Sequence, residues 1–278
     1  MYQASSDLKK VVIIGNGFDL SLGLKTSYGD FIKSTQFQQL LDNKNSIAEK
    51  LHQRYNEANW IDIENQLKKI SVSLKKDEDK DIKPEFTLLC DALMSYLGTI
   101  DYPQINMSSN AVKFLEHVVI DECIILDYNY TSATEIILKK IGITNGEISS
   151  WLKKVHGSLA AKNIIFGIED SAKIRKRDVF LKKSSNNFYN AFALEKLMNA
   201  SRDLHIFGHS LGESDHSYFK SFFVERTKRT NLAKGTIYLH HFGSNALDSL
   251  NSEIDQMTGN KMNLFKRYSP IELIDSSK

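Results

Sequence analysis

The fold class is decided near the start of the chain by the stretch Val11-Val12-Ile13-Ile14-Gly15-Asn16-Gly17-Phe18-Asp19. Its first four residues are β-branched and apolar without a polar interruption, which is typical of a strand buried on both faces of a parallel sheet. The apolar run stops at Gly15, and the following residues predict a tight turn and then a helix. This order of strand, glycine turn and helix predicts an α/β protein.

Further short apolar runs predict more strands of the same sheet. They are residues 123–127, 154–157, 164–167, 203–208 and 235–242, and we expect the run at 235–242 to be the last strand. A helix is predicted over residues 133–140. Because the runs end at glycine or a small polar cluster, and helices alternate with them, the predicted fold is a Rossmann-like, doubly wound, mainly parallel sheet.

A long helical region separates the first two predicted strands. Residues 28–96 show no convincing strand pattern and are rich in Leu, Lys and Gln. The charged run at 75–83 predicts a loop inside this region. We therefore expect one α/β domain over residues 1–278, with a helical insertion that caps it over about residues 30–110.

Composition excludes several classes of protein. The 278 residues contain 36 Lys and Arg against 34 Asp and Glu, so the charge balance gives no reason to expect nucleic acid or a membrane surface as a partner. The two cysteines, Cys90 and Cys123, are too few for a disulfide framework or a structural zinc site. No secretory signal and no membrane-spanning apolar run is found, so we expect a cytoplasmic protein without a bound metal.

The glycine turn is the first candidate for ligand binding. Gly15 and Gly17 would let the backbone approach a phosphate closely, and the following helix would offer free N–H donors. Only the first two glycines of a dinucleotide fingerprint are present, because Asp19 and Leu20 stand where a third would be sought. A tight turn without any ligand is the alternative.

Two further candidates follow predicted strands. The Asn129 side chain offers a donor and an acceptor, so it could position a water molecule or a ribose hydroxyl. Alternatively Asn129 only shapes the turn and Thr131 caps the next helix. His156, followed by Gly157, could serve as a general base near neutral pH, or it could be a structural hydrogen-bonding residue.

Residues 208–212 match G-x-S-x-G, the nucleophile elbow of α/β-hydrolases, with Ser210 as the nucleophile. That enzyme class needs an acid and then a histidine later in the chain, and Asp215 leaves little room for this order. No oxyanion segment of the HGGG type is present. The alternative is a second nucleotide-contacting turn formed by Gly208 and Ser210, with Asp215 capping the next helix or binding a hydroxyl.

One acidic residue of the helical region is a further candidate. Glu64, in the segment Trp60-Ile61-Asp62-Ile63-Glu64, could direct a carboxylate into the ligand cleft. The alternative is an amphipathic turn with Trp60 buried.

With these segments assembled, the chain resembles the AbiH family of bacteriophage abortive-infection proteins. The matching segments are Ile13-Ile14-Gly15-Asn16-Gly17-Phe18-Asp19-Leu20, Thr26-Ser27-Tyr28, Trp60-Ile61-Asp62-Ile63-Glu64, Asn129-Tyr130-Thr131, Val155-His156-Gly157, Ile165-Phe166-Gly167 and Phe207-Gly208-His209-Ser210-Leu211-Gly212. The resemblance implies a protein of phage defence.

The order of these motifs is also similar, more distantly, to the sirtuin-like NAD-binding fold. That resemblance implies that Asn129 positions a water molecule near the nicotinamide ribose and that His156 serves as the base. It further implies that the glycine turn holds phosphates, whereas Gly208 and Ser210 contact the adenosine side. The four zinc-binding cysteines of protein deacylases are absent, which argues against peptide deacylation but leaves NAD cleavage open.

These resemblances together imply an anti-phage enzyme that hydrolyses the nicotinamide–ribose bond of NAD, with Asn129 and His156 as its catalytic pair. The residues expected to contact NAD, as substrate or ligand, are Gly15, Asn16, Gly17, Phe18, Asp19, Gly208, His209, Ser210 and Asp215. A non-catalytic nucleotide sensor that gates a partner is the alternative, and a hydrolase or nuclease is a third. The partners considered are a nucleotide, a second copy of the chain and a phage-derived trigger.

Overall fold

The computed structural model describes residues 10–58, 62–74, 80–229 and 235–277. Six parallel strands form one sheet in the order β3-β2-β1-β4-β5-β6. The strands are β1 (Lys10–Ile14), β2 (Cys123–Asp127), β3 (Leu152–Lys154), β4 (Asp203–Phe207), β5 (Ile237–His241) and β6 (Ile271–Asp275). The predicted Rossmann-like α/β fold with a parallel sheet is confirmed.

Helices flank the sheet and fill the interval between β1 and β2. That interval holds α1 (Asn16–Ser21), α2 (Tyr28–Ile32), α3 (Thr35–Asp42), α4 (Ser46–Ala58), α5 (Ile63–Ser73), α6 (Lys83–Leu97) and α7 (Asn110–Val118). The remaining helices are α8 (Ala133–Lys140), α9 (Asn145–Trp151), α10 (Ala191–Ala200), α11 (His216–Glu225), α12 (Gly243–Thr258) and α13 (Met262–Tyr268). The predicted helix over 133–140 is therefore confirmed at both ends.

The first strand lies at the centre of the sheet and is buried on both faces, as its composition predicts. Val11 and Ile13 pack on one face, in a cluster with side chains of α10, α11 and α12. Val12 and Ile14 pack on the other face, against α7 and α8. Alternation of side chains along a strand produces this division, and full burial of both sets explains the unbroken apolar run.

The strand order changes direction beside β1. The chain leaves β1 for β2 and β3 on one side and later returns to β4 on the other side. Such a switch point leaves a crevice beyond the carboxyl ends of the two central strands, where doubly wound proteins bind ligands. The turns after β1, β2, β3 and β4 therefore share one edge of the sheet.

Two strand predictions are wrong. Residues 164–167 are extended but join no ladder of the sheet, because Phe166 packs instead against the helices between β1 and β2, stacked on Phe86 at 5.9 Å between ring centroids. The run at 235–242 contains β5, but β6 follows it as the last strand. We missed β6 because it is an edge strand whose Glu272 and Leu273 are exposed, which weakens its apolar pattern. The strand predicted at 154–157 is observed as β3, Leu152–Lys154. It therefore begins two residues earlier than predicted and shares only Lys154 with the predicted range.

The helices α2 to α6, called the cap below, have a hydrophobic cluster of their own. Phe31, Phe37 and Leu89 are among its buried members, and it also includes Phe166 and Leu181 from the segment after β3. Of the predicted charged loop, residues 75–79 lie outside the described residues, and α6 begins at Lys83. The predicted burial of Trp60 also falls outside them. The assignment of a single domain with an insertion stays a prediction.

Three glycines bring the turns after β1 and β4 into direct contact. A Cβ atom on Gly15 would lie 2.6 Å from His209 Cα, and one on Gly17 would lie 2.7 Å from Gly208 Cα. Gly208 has a φ of 68°, and its carbonyl accepts a 2.8 Å hydrogen bond from the N–H of Gly17. Glycine is thus required on both sides of the switch point by the packing of one turn on the other.

We expect Gly15→Ala to destabilise the protein, because the added methyl group has no room beside the β4 turn. Gly15 has a φ of −118°, which suits alanine, so steric overlap is the only penalty. The expected loss is about 1–3 kcal/mol of unfolding free energy, measured by urea denaturation. The control is Gly146→Ala in α9, where the nearest atom to the new Cβ is 3.9 Å away and helix propensity favours alanine. Equal stability of the two variants would contradict the proposed packing role.

Candidate functional site

A cleft of about 580 Å³ lies at the carboxyl ends of the central strands, between the sheet and the cap. Residues from the turns after β1, β2, β3 and β4 all line it. The predicted site residues that the structure brings together here are Gly15, Asn16, Gly17, Asp19, Glu64, Asn129, His156, Gly208, His209, Ser210 and Asp215. Asn129 and His156 thus lie on the same side of the molecule as the glycine turn.

Phe18 is the exception and does not line the cleft. Its side chain is fully buried in the core, edge-on to Phe207 with 6.0 Å between ring centroids. The structure therefore gives no support to a contact between the Phe18 side chain and a cofactor, and that contact stays a prediction. The residue lies in the first turn of a helix, and that turn directs it toward the sheet instead of the cleft.

The backbone of the glycine turn is largely occupied by the fold itself. The N–H groups of Gly15, Gly17 and Phe18 donate to the carbonyls of Phe207, Gly208 and Gly15. Asn16 is exposed at the cleft, and its Oδ1 accepts a 2.6 Å hydrogen bond from Thr26 Oγ1. The predicted phosphate role stays a prediction, and its donors would have to come from groups such as the Asn16 side chain.

The Asn129 side chain crosses from the end of β2 to the turn after β1. Its Nδ2 donates to the Gly15 carbonyl and to Asp19 Oδ1, each at 3.1 Å. Thr131 Oγ1 donates to Asp19 Oδ2 at 2.7 Å. The N-cap residue of α8 is Ser132, so the suggestion that Thr131 caps α8 is wrong. Because Nδ2 makes both of these bonds, Asn129 has its Oδ1 left to accept a hydrogen bond in the cleft.

A half-buried lysine lies behind Asn129. Lys154 Nζ is 2.7 Å from Asp127 Oδ2 and 3.3 Å from Glu135 Oε2, and it also donates to the carbonyls of Asn129 and Thr131. Burial lowers the pKa of Lys154, but the two carboxylates outweigh burial and raise it. Burial, together with the nearby charge of Asp127, raises the pKa of Asp19 to about 7.

Asp215 is the centre of a second charged cluster. Its Oδ1 lies 2.6 Å from Lys183 Nζ and 3.1 Å from His156 Nε2, and its Oδ2 lies 3.4 Å from His209 Nε2. His209 Nδ1 accepts a hydrogen bond from the Leu211 N–H, so Nε2 carries the proton of the neutral ring. Asp215 is the N-cap residue of α11, as one alternative expected, but its side chain makes no capping hydrogen bond.

The cap contributes a carboxylate to this second cluster. Glu64 of α5 is buried, and its Oε2 accepts a 3.2 Å hydrogen bond from Lys183 Nζ. Burial is the main cause that raises the pKa of Glu64 to about 7, against the opposing effect of Lys183. Lys183 was not predicted as a site residue, because it belongs to no recognisable motif and does not directly follow a strand of the sheet.

Burial and charge set the protonation of the remaining groups. Burial would raise the pKa of Asp215, but Lys183, His156 and His209 hold it well below its usual range. Burial lowers the pKa of His156, and this outweighs the opposing effect of Asp215. At neutral pH the cleft therefore contains an ionised Asp215 beside a neutral His156. His156 Nε2 is near Asp215 without the angle of a hydrogen bond.

The G-x-S-x-G segment lacks the geometry of a nucleophile elbow. Ser210 is exposed, and its Oγ accepts a 3.3 Å hydrogen bond from the Gly212 N–H. Over the described residues no histidine lies within hydrogen-bonding distance of Ser210 Oγ. The chain continues through a 3₁₀ turn, Glu213–Asp215, before α11 begins, whereas the elbow joins its strand directly to a helix. The hydrolase alternative is not supported.

Comparison with models of known protein families matches residues 11–233 to the family described as "Bacteriophage abortive infection AbiH". The chain belongs to the AbiH family. The matched residues include β1 except Lys10, all of β2 to β4, and every predicted site residue. Membership supports a role in bacteriophage abortive infection, as the resemblance implied.

Two other comparisons add no relative to this AbiH-family chain. Neither the curated proteins nor the solved structures compared with it give a match. The sirtuin-like resemblance therefore stays a prediction. Within the described residues, no helix combines the length and apolar character needed to cross a membrane.

We expect Lys183→Met to destabilise the AbiH-family fold, because it leaves the half-buried carboxylate of Asp215 and the buried carboxylate of Glu64 without their cation. The expected cost is about 3–5 kcal/mol of unfolding free energy. The double variant Lys183→Met/Glu64→Gln should recover part of this loss, since one of the two carboxylates is then neutral. The control is Lys68→Met, which breaks an exposed ion pair with Glu213 and should cost less than about 1 kcal/mol. Similar losses for Lys183→Met and Lys68→Met would contradict this assignment.

Proposed function

We propose that the cleft hydrolyses the nicotinamide–ribose bond of NAD, with Asn129 and His156 acting on the attacking water. The observation that carries the proposal is the convergence of Asn129, His156 and the two glycine turns on one cleft from four separate strand ends. A cleft of this size is in the range of small-molecule sites, about 300–1,000 Å³.

The reaction requires one bond to break and one to form. The bond between C1′ of the ribose and the pyridinium nitrogen breaks, and its electron pair leaves with nicotinamide, which departs as a neutral molecule. The water oxygen forms the new bond to C1′, and one water proton is transferred to a base. The products are ADP-ribose, nicotinamide and a proton.

Asn129 is suited to hold the water, and His156 to take its proton. Oδ1 of Asn129 is the free acceptor of an amide whose Nδ2 is already bonded, so it can accept a hydrogen bond from the nucleophilic water. His156 is neutral at physiological pH because burial lowers its pKa, which keeps it able to accept a proton.

The charge of the cleft wall favours the cationic transition state. Positive charge develops on the ribose as nicotinamide leaves, and fixed negative groups close by lower the energy of that charge. Asp215 supplies such a group, and Lys183 at 2.6 Å compensates part of its charge. Asp215 also lies 3.1 Å from His156 Nε2, where it stabilises the imidazolium formed by proton transfer. Removal of NAD would stop the host cell and the phage together, which is consistent with abortive infection.

The test is to incubate the purified protein with NAD and measure released nicotinamide. We expect release by the wild type and a fall of about 10²-fold or more in Asn129→Ala and His156→Ala, because each removes a group that acts on the water. The controls are Asn145→Ala and His117→Ala, two exposed residues outside the cleft that should not change the rate.

Three outcomes would contradict the proposal. A nucleotide that stays bound and intact would favour the non-catalytic sensor. Equal activity of the wild type and both cleft variants would show that neither residue has the proposed role. Loss of activity only in Ser210→Ala would favour the hydrolase instead.

The pH dependence follows from the pKa of His156. Its neutral form is the active one, and burial lowers its pKa below the usual 6.5, so kcat/KM should stay high as the pH falls through 6.5 and decline only at more acid pH. The measurement is kcat/KM between about pH 5 and about pH 9. Glu64→Gln is the control, since Glu64 has a pKa of about 7 and would add a step of its own. An acid limb at or above pH 6.5 in both proteins would be inconsistent with His156 as the base.

A further inference from the structure

We infer that Asp19 is a positioning residue, which fixes the amide of Asn129 so that its oxygen faces the cleft, and that it is not a ligand contact. This inference rests on the proposed role of Asn129 in holding the water. It replaces the expectation that Asp19 binds a cofactor.

The orientation of the Asn129 amide is determined by two acceptors. The Gly15 carbonyl and Asp19 Oδ1 each lie 3.1 Å from Nδ2 and have no proton to donate. A flipped amide would place Oδ1 of Asn129 against both of these oxygens, and Nδ2 would then face the cleft. Water held by this donor would have one of its two lone pairs occupied and would find no acceptor for its O–H there, so the flipped amide would be less suited to nucleophilic attack. The Gly15 acceptor is a backbone carbonyl, which a substitution does not remove. Asp19 is therefore the acceptor of this pair that can be tested by mutation.

Both oxygens of Asp19 are committed to this arrangement. Oδ1 accepts from Asn129, and Oδ2 accepts from the hydroxyl of Thr131 at 2.7 Å. Asp19 is fully buried, and within the described residues no cation makes an ion pair with it. A buried carboxylate without hydrogen bonds is costly to the fold, and the side chains of Asn129 and Thr131 supply those hydrogen bonds to Asp19. The contacts of Asp19 therefore fix the side chains of the turn after β2, which includes Asn129.

Thr131 keeps the acceptor in place in both protonation states of Asp19. The charged or titratable groups nearby are Asp127 of β2, Lys154 of β3, Glu135 of α8 and Tyr102. With Asp19 ionised, the Thr131 hydroxyl donates to Oδ2; with Asp19 protonated at Oδ2, the same hydroxyl can rotate and accept. In the ionised state, and with the proton on Oδ2, Oδ1 accepts from Asn129, so protonation at Oδ2 leaves the amide in place.

The variants that separate an acceptor from a charge are Asp19→Asn and Asp19→Leu. An asparagine at this position can keep its oxygen toward Asn129 and donate to Thr131, whereas leucine of similar size offers no acceptor. We expect Asp19→Leu to lower kcat for NAD by about 10²-fold with little change in KM, because the water is misplaced. Asp19→Asn should restore kcat to within about threefold of wild type, since it keeps the acceptor.

A double-mutant cycle tests whether Asp19 acts through Asn129. Asp19→Leu should have no further effect on kcat in the Asn129→Ala background, because the group it positions is gone. Multiplication of the two effects would overturn the inference, and so would equal damage by Asp19→Asn and Asp19→Leu. If Asp19→Leu does not fold, Asp19→Ala takes its place in the cycle.

A measurement independent of catalysis separates this inference from the proposed function. In protein labelled with ¹⁵N-asparagine, the side-chain amide of Asn129 is identified by its absence in Asn129→Ala. Its protons should exchange slowly with solvent in the wild type and in Asp19→Asn, whether or not NAD is cleaved. Rapid exchange in the wild type would overturn the positioning role. Slow exchange without any release of nicotinamide would contradict the proposed function alone.

Discussion

The close contact of the turns after β1 and β4 is the constraint on which the cleft depends. Gly15 and Gly17 on one side, and Gly208 on the other, allow the two turns to pack backbone against backbone. The contact brings the β4 turn, with His209 and Ser210, over the start of α1. It also directs the Gly15 carbonyl toward Asn129, which joins the β2 turn to the same junction. The glycines that suggested phosphate binding thus have a structural function that can be measured without any ligand.

Each of the two buried charge clusters depends on one lysine. Lys154 compensates Asp127 and Glu135 behind the β2 and β3 turns, and Lys183 compensates Asp215 and Glu64 between the sheet and the cap. In both cases burial alone would favour the neutral lysine, and the surrounding carboxylates reverse that effect. Removal of one partner from such a cluster is more damaging than loss of a surface ion pair, because the charges left behind are mostly shielded from water.

The sequence predicted the site residues that come after strands. It did not predict the residues whose positions depend on contacts between distant segments of the chain. Asn129 could be located because an apolar run marks β2 and the polar residue comes soon after its end. His156 was found beside a misplaced strand, since β3 is Leu152-Lys153-Lys154 and has no apolar run. Lys183 lies in a long segment without regular strands, so only its distant partners, Glu64 and Asp215, reveal a function for it. The segment 164–167 has the apolar composition of a strand, yet its Phe166 packs on the cap. A local apolar pattern cannot distinguish burial in the sheet from burial against the cap.

The two clusters differ in the elements that they connect, and this difference bears on how the cleft works. The Lys154 cluster joins the β2 and β3 strand ends to α8, elements that belong to the sheet and its flanking layer. The Lys183 cluster joins α5 of the cap to the turn after β4, and Asp215 in that turn lies beside His156. Any displacement of α5 would carry Glu64 away from Lys183, and the lysine would then form an ion pair with Asp215 only. The charge felt by His156 is therefore coupled to the position of the cap, whereas the orientation of Asn129 is not.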